Sequence, residues 1–218
     1  MNETLSKVAA TYHVQLSDAL IGRHGVSDYL ASRAIDEGIA ERFELGYVAD
    51  PLPGDEPYRG RLAIPYLTPA GVVAMKYRCI AEHDCKQQGP HHAKYAQPTG
   101  QAQHLYNVAA YHSGLDAIGV CEGEFDAIAA TTHVGIPTMG LPGASQWKAN
   151  GKYWSLALAD FALVVIFADG DEPGRELAKD IAMSVPEKSR IVYCPDSEDV
   201  NSMVMNGRIE ELKRKAGV

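Results

Sequence analysis

The sequence has little of what marks a secreted, disulfide-linked or membrane-spanning protein. It carries only four cysteines in 218 residues and no C-x-x-C pair, which excludes a disulfide framework. Its longest apolar run, at residues 161–168, is less than half of what a membrane-spanning helix requires. The first residues show neither the basic nor the apolar segment of a signal peptide. We therefore expect a cytoplasmic protein without membrane association.

The composition excludes wholesale disorder and indicates a globular chain. Hydrophobic residues make up 46% and charged residues 22% of the sequence, both ordinary values. The length corresponds to one large domain or two small ones, enough to bury a real core.

The net charge of −8 argues at first against a nucleic-acid partner, but the charge is unevenly distributed. Residues 59–94 contain six basic and two acidic side chains, a local balance of +4. Residues 114–218 contain 10 basic and 16 acidic side chains, a local balance of −6. This pattern is compatible with a phosphate backbone bound by the middle of the chain and metal ions by the second half.

The first half of the chain predicts mixed helices and strands. Two strand-like runs, 61–67 and 72–80, flank a Thr-Pro-Ala-Gly turn, which predicts a β-hairpin. Upstream, Ser27 is placed to cap a helix at 28–34 and Asp36 to cap another at 37–43. The polar segment 81–100 is expected to be irregular.

The second half alternates between strands and helices. Strands are predicted at 117–121, 136–141, 161–168 and 190–194, and helices near 124–133, 153–159, 174–185 and 199–216, the last interrupted at Gly207. This alternation is typical of a parallel α/β sheet, in which ligands bind at the carboxyl ends of the strands. We place the boundary between residues 1–113 and 114–218, near Ser113.

Acidic residues occupy those strand ends. They follow the first strand, the long apolar strand and the last strand, at Glu122 and Asp126, at Asp169 and Asp171, and at Asp199. Carboxylates gathered at one sheet edge repel each other, and hard divalent cations such as Mg²⁺ or Mn²⁺ would neutralise them. The alternative interpretation is that Asp171 and Asp199 are helix N-caps and Glu122 a surface residue.

The spacing of these acids resembles the TOPRIM domain shared by primases and topoisomerases. The motifs are Glu122-Gly123-x-x-Asp126, Asp169-x-Asp171-x-x-Gly174 and Asp196-x-x-Asp199, each after a strand. The upstream half is similar to the catalytic core of bacterial DnaG-type primases through the segments Tyr29-Leu30-x-x-Arg33-Ala34-Ile35, Arg42-Phe43-x-Leu45-Gly46-Tyr47, Arg61-x-x-Ile64-Pro65-Tyr66, Gly71-x₄-Lys76-x-Arg78 and Lys94-Tyr95. The match runs roughly from residue 28 to residue 207. It implies a TOPRIM domain, a Rossmann-like parallel sheet flanked by helices, preceded by a mixed α+β subdomain.

The resemblance implies metal-dependent synthesis of short RNA primers on single-stranded DNA, that is, a nucleotidyltransferase using ribonucleoside triphosphates. Asp169 and Asp171 are then the principal ligands of two or more Mg²⁺ or Mn²⁺ ions, and Asp126 and Asp199 are further or water-mediated ligands. Glu122 is a ligand or the acid/base near the reacting oxygen. Template or nucleotide would be bound by basic side chains, for which the candidates are Arg61, Lys76, Arg78, Lys94 and Arg175.

Primases of this type carry a zinc-binding module and a helicase-binding or helicase region, neither of which is evident here. We therefore expect a free-standing, phage-like core and a separate zinc-binding or helicase polypeptide as partner. Cys79-x₃-His83-x-Cys85, with His91 and His92, fits no standard zinc spacing, so zinc is not expected. Two other classes stay open: a metal-dependent TOPRIM nuclease, and a non-catalytic DNA-binding protein of replication or recombination.

Overall fold

The computed structural model describes residues 3–22, 25–87 and 93–218, and the chain forms two compact units, residues 1–102 and 103–218. This division lies upstream of the boundary near Ser113 that the sequence suggested. The backbone of Tyr106 exchanges hydrogen bonds with Gly140 in the sheet of the second unit, at 2.8 and 3.1 Å. Ala110 is buried in the core of the same unit. Residues 103–113 therefore pack with the second unit.

The described residues of the first unit form a four-stranded antiparallel sheet and three α-helices. Its strands follow the order β1-β2-β3-β4, with bounds Gly46–Tyr47, Arg61–Thr68, Gly71–Cys79 and Tyr95–Ala96. Its helices are α1 Glu3–Ile21, α2 Gly25–Ala31 and α3 Glu37–Arg42. The predicted hairpin is present as β2 and β3, which pair antiparallel, and Gly71, with φ of +108°, closes the turn between them.

The helices of this unit depart from the sequence prediction in two places. Helix α1 packs Ala9 and Tyr12 against one face of the sheet and was not predicted. Helix α2 begins at Gly25, so Ser27 lies inside it and is not its cap. It ends earlier than predicted because Ala34 adopts a left-handed φ of 54°. Asp36 does cap α3, and its Oδ1 accepts a hydrogen bond from the Ile39 backbone at 2.8 Å.

The second unit confirms the predicted parallel α/β fold. Its four strands are all parallel and follow the order β6-β5-β7-β8, with bounds β5 Ala117–Glu122, β6 Thr138–Leu141, β7 Leu163–Ala168 and β8 Ser189–Tyr193. The helices are α4 Glu124–Ala129, extended by a π-helical turn at Ala130–Val134, then α5 Ala144–Leu158, α6 Glu172–Ser184, α7 Val200–Met205 and α8 Ile209–Ala216. Helix α5 begins earlier than predicted, directly after Gly143.

The strand order determines where this unit can hold a ligand. From β5 the chain moves to β6 on one side, and from β7 it moves to β8 on the other. The carboxyl ends of β5 and β7 therefore border the point where the winding direction reverses, which is where open α/β sheets bind ligands. Among the described residues, no helix is long and apolar enough to cross a membrane.

Candidate metal centre and basic face

Asp169 stands at the carboxyl end of β7, next to this reversal point. Its Oδ1 atom is buried and has no hydrogen-bond partner among the described residues. Burial is the main factor that raises the pKa of Asp169, to about 7, and the charges of Glu122, Asp199 and Asp171 raise it further. The acids that the sequence placed at three separate strand ends are therefore close enough to act on one carboxylate.

The neighbouring glycine explains how the third strand end reaches Asp169. Gly170 donates its backbone N–H to the Glu198 carbonyl at 2.8 Å and accepts from the Ser197 N–H at 3.1 Å. A Cβ atom at position 170 would overlap the Pro195 carbonyl oxygen, so only glycine fits this close backbone approach. The contact fixes the loop at 195–198, and Asp199 follows that loop directly.

Asp171 and Asp199 are helix caps as well as members of the acidic group. Asp171 Oδ1 accepts from the Gly174 N–H at 2.8 Å at the start of α6. Asp199 Oδ1 accepts from the Ser202 N–H at 2.6 Å at the start of α7, and the Ser202 hydroxyl accepts from the Asp199 N–H. The two interpretations of these acids are thus compatible, since each cap engages one oxygen of a carboxylate that also acts on Asp169.

Glu122 and Asp126 come from β5 and α4. Glu122 is the last residue of β5 and is half-buried. Asp126 is buried in the first turn of α4, where its Oδ1 accepts from the Asn201 N–H of α7 at 2.8 Å. Burial raises the pKa of the Cys194 thiol to about 12, and Asp169, Asp126 and Asp199 add to this effect. Asp126, Asp169 and Asp199 therefore all lie near the Cys194 thiol, and Asp126 also joins α4 to α7.

Glu124 is a further acid that the sequence interpretation left out. It is 2% exposed in the first turn of α4, and its charge, with those of Asp126 and Asp169, helps to raise the pKa of the buried Cys121 thiol. Its position in the sequence, between Gly123 and the apolar run of α4, could have indicated that Glu124 is buried. Glu124, Asp126 and Asp169 therefore all act on the Cys121 thiol.

The donor set fits a hard divalent cation. Carboxylate oxygens are the ligands that Mg²⁺ and Mn²⁺ prefer, and a cation would give the buried Asp169 oxygen the partner it lacks. Within the part of the chain that is described, no three of these carboxylates have oxygens all within 4.8 Å of one another. That spacing suits ions held by one or two carboxylates each, completed by water and phosphate, which is the usual coordination of Mg²⁺ in phosphoryl-transfer sites.

The five basic candidates lie in three different surroundings. Lys76 and Arg78 share one face of β3, where their charged groups lie 5.5 and 4.7 Å from the centre of the Tyr95 ring. Arg61 pairs with Cys79 in the register, so it lies on the opposite face, and like Arg78 it is buried. There its guanidinium donates to the Ala93 carbonyl at 2.9 Å.

The remaining two candidates are more accessible. Lys94 is exposed just before β4. Arg175, at the start of α6, forms an ion pair with Asp196 at 2.5 Å and not with the acids of its own helix. The pair joins α6 to the loop that Gly170 contacts, so Arg175 has a structural partner beside the acidic group.

The cysteines and histidine of the β3–β4 segment also come together. The potential ligand atoms of Cys79, His83 and Cys85 lie within 4.8 Å of one another. The geometry therefore neither confirms nor contradicts the expectation that zinc is absent. His91 and His92, the other candidates of that segment, lie outside the described residues.

Comparisons with known proteins agree with the fold of the second unit. A family model described as Toprim-like matches residues 119–204, which span β5 to α7. Gene 57 protein of Mycobacterium phage D29 is 40% identical over 152 residues, covering 67% of this chain and 91% of that protein. The chain belongs to this Toprim-like family. The predicted resemblance to TOPRIM primases is confirmed.

Solved structures extend the match to the first unit. The Escherichia coli primase catalytic core aligns with a TM-score of 0.71 and 18% identity, covering 97% of this chain and 78% of that chain. The RNA polymerase domain of Mycobacterium tuberculosis primase DnaG, in complex with double-stranded DNA, aligns with a TM-score of 0.71 and 18% identity, covering 100% and 81%. At this identity the likeness shows the fold, which is that of primase catalytic cores.

Proposed function

We propose that this Toprim-like protein is a DNA primase core that synthesises short RNA primers on single-stranded DNA. The observation that carries the proposal is the acidic group around Asp169. It lies at the point where the winding direction of the sheet reverses, and the buried Oδ1 atom of Asp169 has no hydrogen-bond partner among the described residues. A group of like charges in that position destabilises the fold, and bound divalent cations would offset this cost, as a metal-dependent function requires.

The chemistry is transfer of a nucleotidyl group. A primer 3′-hydroxyl attacks the α-phosphate of an incoming ribonucleoside triphosphate, and pyrophosphate leaves. Divalent cations, when bound, supply the positive charge that stabilises the pentavalent phosphorus centre and polarise the attacking hydroxyl. Asp169 and Asp171 would hold them, and Asp199 and Asp126 would hold coordinated water. Glu122 would either bind a cation or accept the proton of the attacking hydroxyl.

The caps described above determine how firmly these carboxylates are held. Asp171 and Asp199 are each fixed by a backbone N–H, at 2.8 and 2.6 Å, so neither needs to reorganise when phosphate arrives. The Gly170 contact holds the two caps near each other. Pre-ordered acids of this kind favour a transition state whose charge develops at a fixed point.

The template would be bound by the first unit. Lys76 and Tyr95 combine positive charge with an aromatic ring, the combination that binds single-stranded nucleic acid without sequence preference, and the buried Arg78 lies against the same ring. Lys94 adds an exposed charge, whereas Arg61 is engaged with the Ala93 carbonyl and is expected to support the hairpin. A separate zinc-binding or helicase polypeptide remains the proposed source of template selection.

The test is incubation of the full chain with single-stranded DNA of mixed sequence, labelled ribonucleotides and Mg²⁺ or Mn²⁺. We expect short oligoribonucleotides from the parent and none from Asp169→Asn or Asp171→Asn, because asparagine keeps the shape but not the charge. Asp36→Asn is the matched control, since Asp36 caps α3 in the same way outside the acidic group. Degradation of the template without RNA synthesis would contradict the proposal and indicate a nuclease.

A further inference from the structure

The second candidate metal site is the loop that follows β3. Cys79 is the last residue of that strand, His83 lies in the bend that follows, and Cys85 begins a short 3₁₀ turn. The chain therefore reverses within a few residues and brings one nitrogen and two sulfur ligands together, all within 4.8 Å. The cluster belongs to the first unit and shares no residue with the acidic group.

The spacing of these atoms suits a tetrahedral zinc ion. Zinc binds cysteine sulfur at about 2.3 Å and histidine nitrogen at about 2.1 Å, so the sulfur–nitrogen edge of the tetrahedron is about 3.6 Å and the sulfur–sulfur edge about 3.8 Å. The observed distance from Cys79 Sγ to His83 Nε2 is 3.5 Å. Two sulfurs and one imidazole are ligands that zinc prefers over Mg²⁺ or Mn²⁺.

Hydrogen bonds at both ends of the segment hold the cluster in place. Arg61 lies opposite Cys79 in the strand register and brings a buried positive charge to the same face. The same guanidinium donates to the Ala93 carbonyl, and the Cys79 N–H donates to the Lys94 carbonyl, each at 2.9 Å. These bonds tie the far end of the loop to the end of β3.

We propose that Cys79, His83 and Cys85 bind one zinc ion with three protein ligands, which fastens the loop to the end of β3. The fourth position is open to water or another donor, as in three-ligand zinc sites. The sequence spacing of the three ligands matches no standard zinc motif, because a bend at residues 81–83 brings them together and not a regular hairpin knuckle. The proposal is independent of primer synthesis, since it involves none of the carboxylates around Asp169.

The experiment measures metal content and ligand type. The full chain is purified without chelators from zinc-supplemented cells, and zinc is counted by mass spectrometry. We expect about one zinc per chain in the parent and loss of that zinc in Cys85→Ser and His83→Ala. His112→Ala is the control, because His112 is exposed in the other unit and should leave the zinc in place. His83 and Cys85 lie outside the sheet, so their replacement should not unfold the strands.

Cobalt distinguishes this site from the carboxylates. Co²⁺ exchanged for zinc should give the near-ultraviolet absorption of thiolate-to-cobalt charge transfer, unchanged in Asp169→Asn and lost in Cys79→Ser. The proposal would be overturned if the parent contains no zinc, or if the Cys85 and His83 variants retain it. Bound Co²⁺ without the thiolate band would also overturn it. A disulfide between Cys79 and Cys85 in freshly purified protein would overturn it as well.

Discussion

Replacing Asp169 with asparagine should stabilise the metal-free protein at alkaline pH. Its carboxyl has a pKa of about 7 in the fold, against an ordinary value of 3.8, because it is buried beside three other acids. When ionised, a carboxyl with that difference destabilises the folded state by roughly 4 kcal/mol relative to its protonated form. The unpartnered amide of asparagine offsets about 1–3 kcal/mol of the gain.

The sign of the pH dependence follows from the raised pKa. The native state binds the Asp169 proton more tightly than the unfolded chain, so this group's contribution is fully present below about pH 4 and is lost as the pH rises through about 7. In EDTA, the parent should therefore lose stability relative to Asp169→Asn between pH 5 and pH 8.5. At pH 8.5 the variant should be more stable by roughly 1–3 kcal/mol, which raises the melting temperature by about 2–4 °C for each kcal/mol.

The assay is thermal or urea unfolding at both pH values, in EDTA and in Mn²⁺. Mn²⁺ that binds only the folded parent stabilises it by about 2.7 kcal/mol at a hundredfold excess over the dissociation constant, and this gain should be mostly lost in Asp169→Asn. Asp36→Asn, which alters a cap remote from the acids, should change neither the pH dependence nor the metal effect. A stability difference between parent and Asp169→Asn that is the same at pH 5 and pH 8.5 would refute the reasoning.

Two further predictions concern backbone contact and template binding. Gly170→Ala should lower the free energy of unfolding by about 1–3 kcal/mol and reduce the Mn²⁺-induced melting shift, because the new Cβ would displace the Pro195 carbonyl. In the control Gly25→Ala the new Cβ meets nothing within 4 Å, so its stability should stay within about 1 kcal/mol of the parent. Equal effects in the two variants would contradict the contact. Lys94→Ala should reduce the slope of log affinity for single-stranded DNA against log salt by about one phosphate contact, and the exposed Lys7→Ala should leave it unchanged. Identical slopes for both variants would show that Lys94 is not at the binding surface.

The sequence predicted elements whose signals are local. The hairpin of β2 and β3 was recognisable because two strand-like runs flank a turn that contains proline and glycine, and the acids were found because they directly follow apolar strands. Helix α1 was overlooked although Val8, Tyr12 and Leu16 recur at helical spacing. The prediction of helix α5 begins too late because Gly151 disfavours a helix by its local propensity. In the structure this glycine lies inside the helix and packs against the Trp147 ring.

Other features depend on contacts between distant segments, which no local pattern encodes. The separation of Arg61 from Lys76 and Arg78 follows from the strand register, since residues paired directly across the sheet share a face. The approach of Gly170 to Pro195 joins two loops, and it decides that Asp199 lies near Asp169. The Cys79–His83–Cys85 cluster is local in sequence, but it depends on the bend at residues 81–83, and its ligand spacing matches no standard zinc motif.

The measurement that tests the central claim most directly is anomalous diffraction from crystals of the full chain soaked in Mn²⁺. The account predicts at least one manganese peak about 2.1 Å from an Asp169 oxygen, bordered by Asp171 and Asp199, and its disappearance in Asp169→Asn. A fully soaked crystal with no peak at Asp169, or with manganese bound only at the exposed Asp196, would contradict the claim that these strand ends form a metal centre.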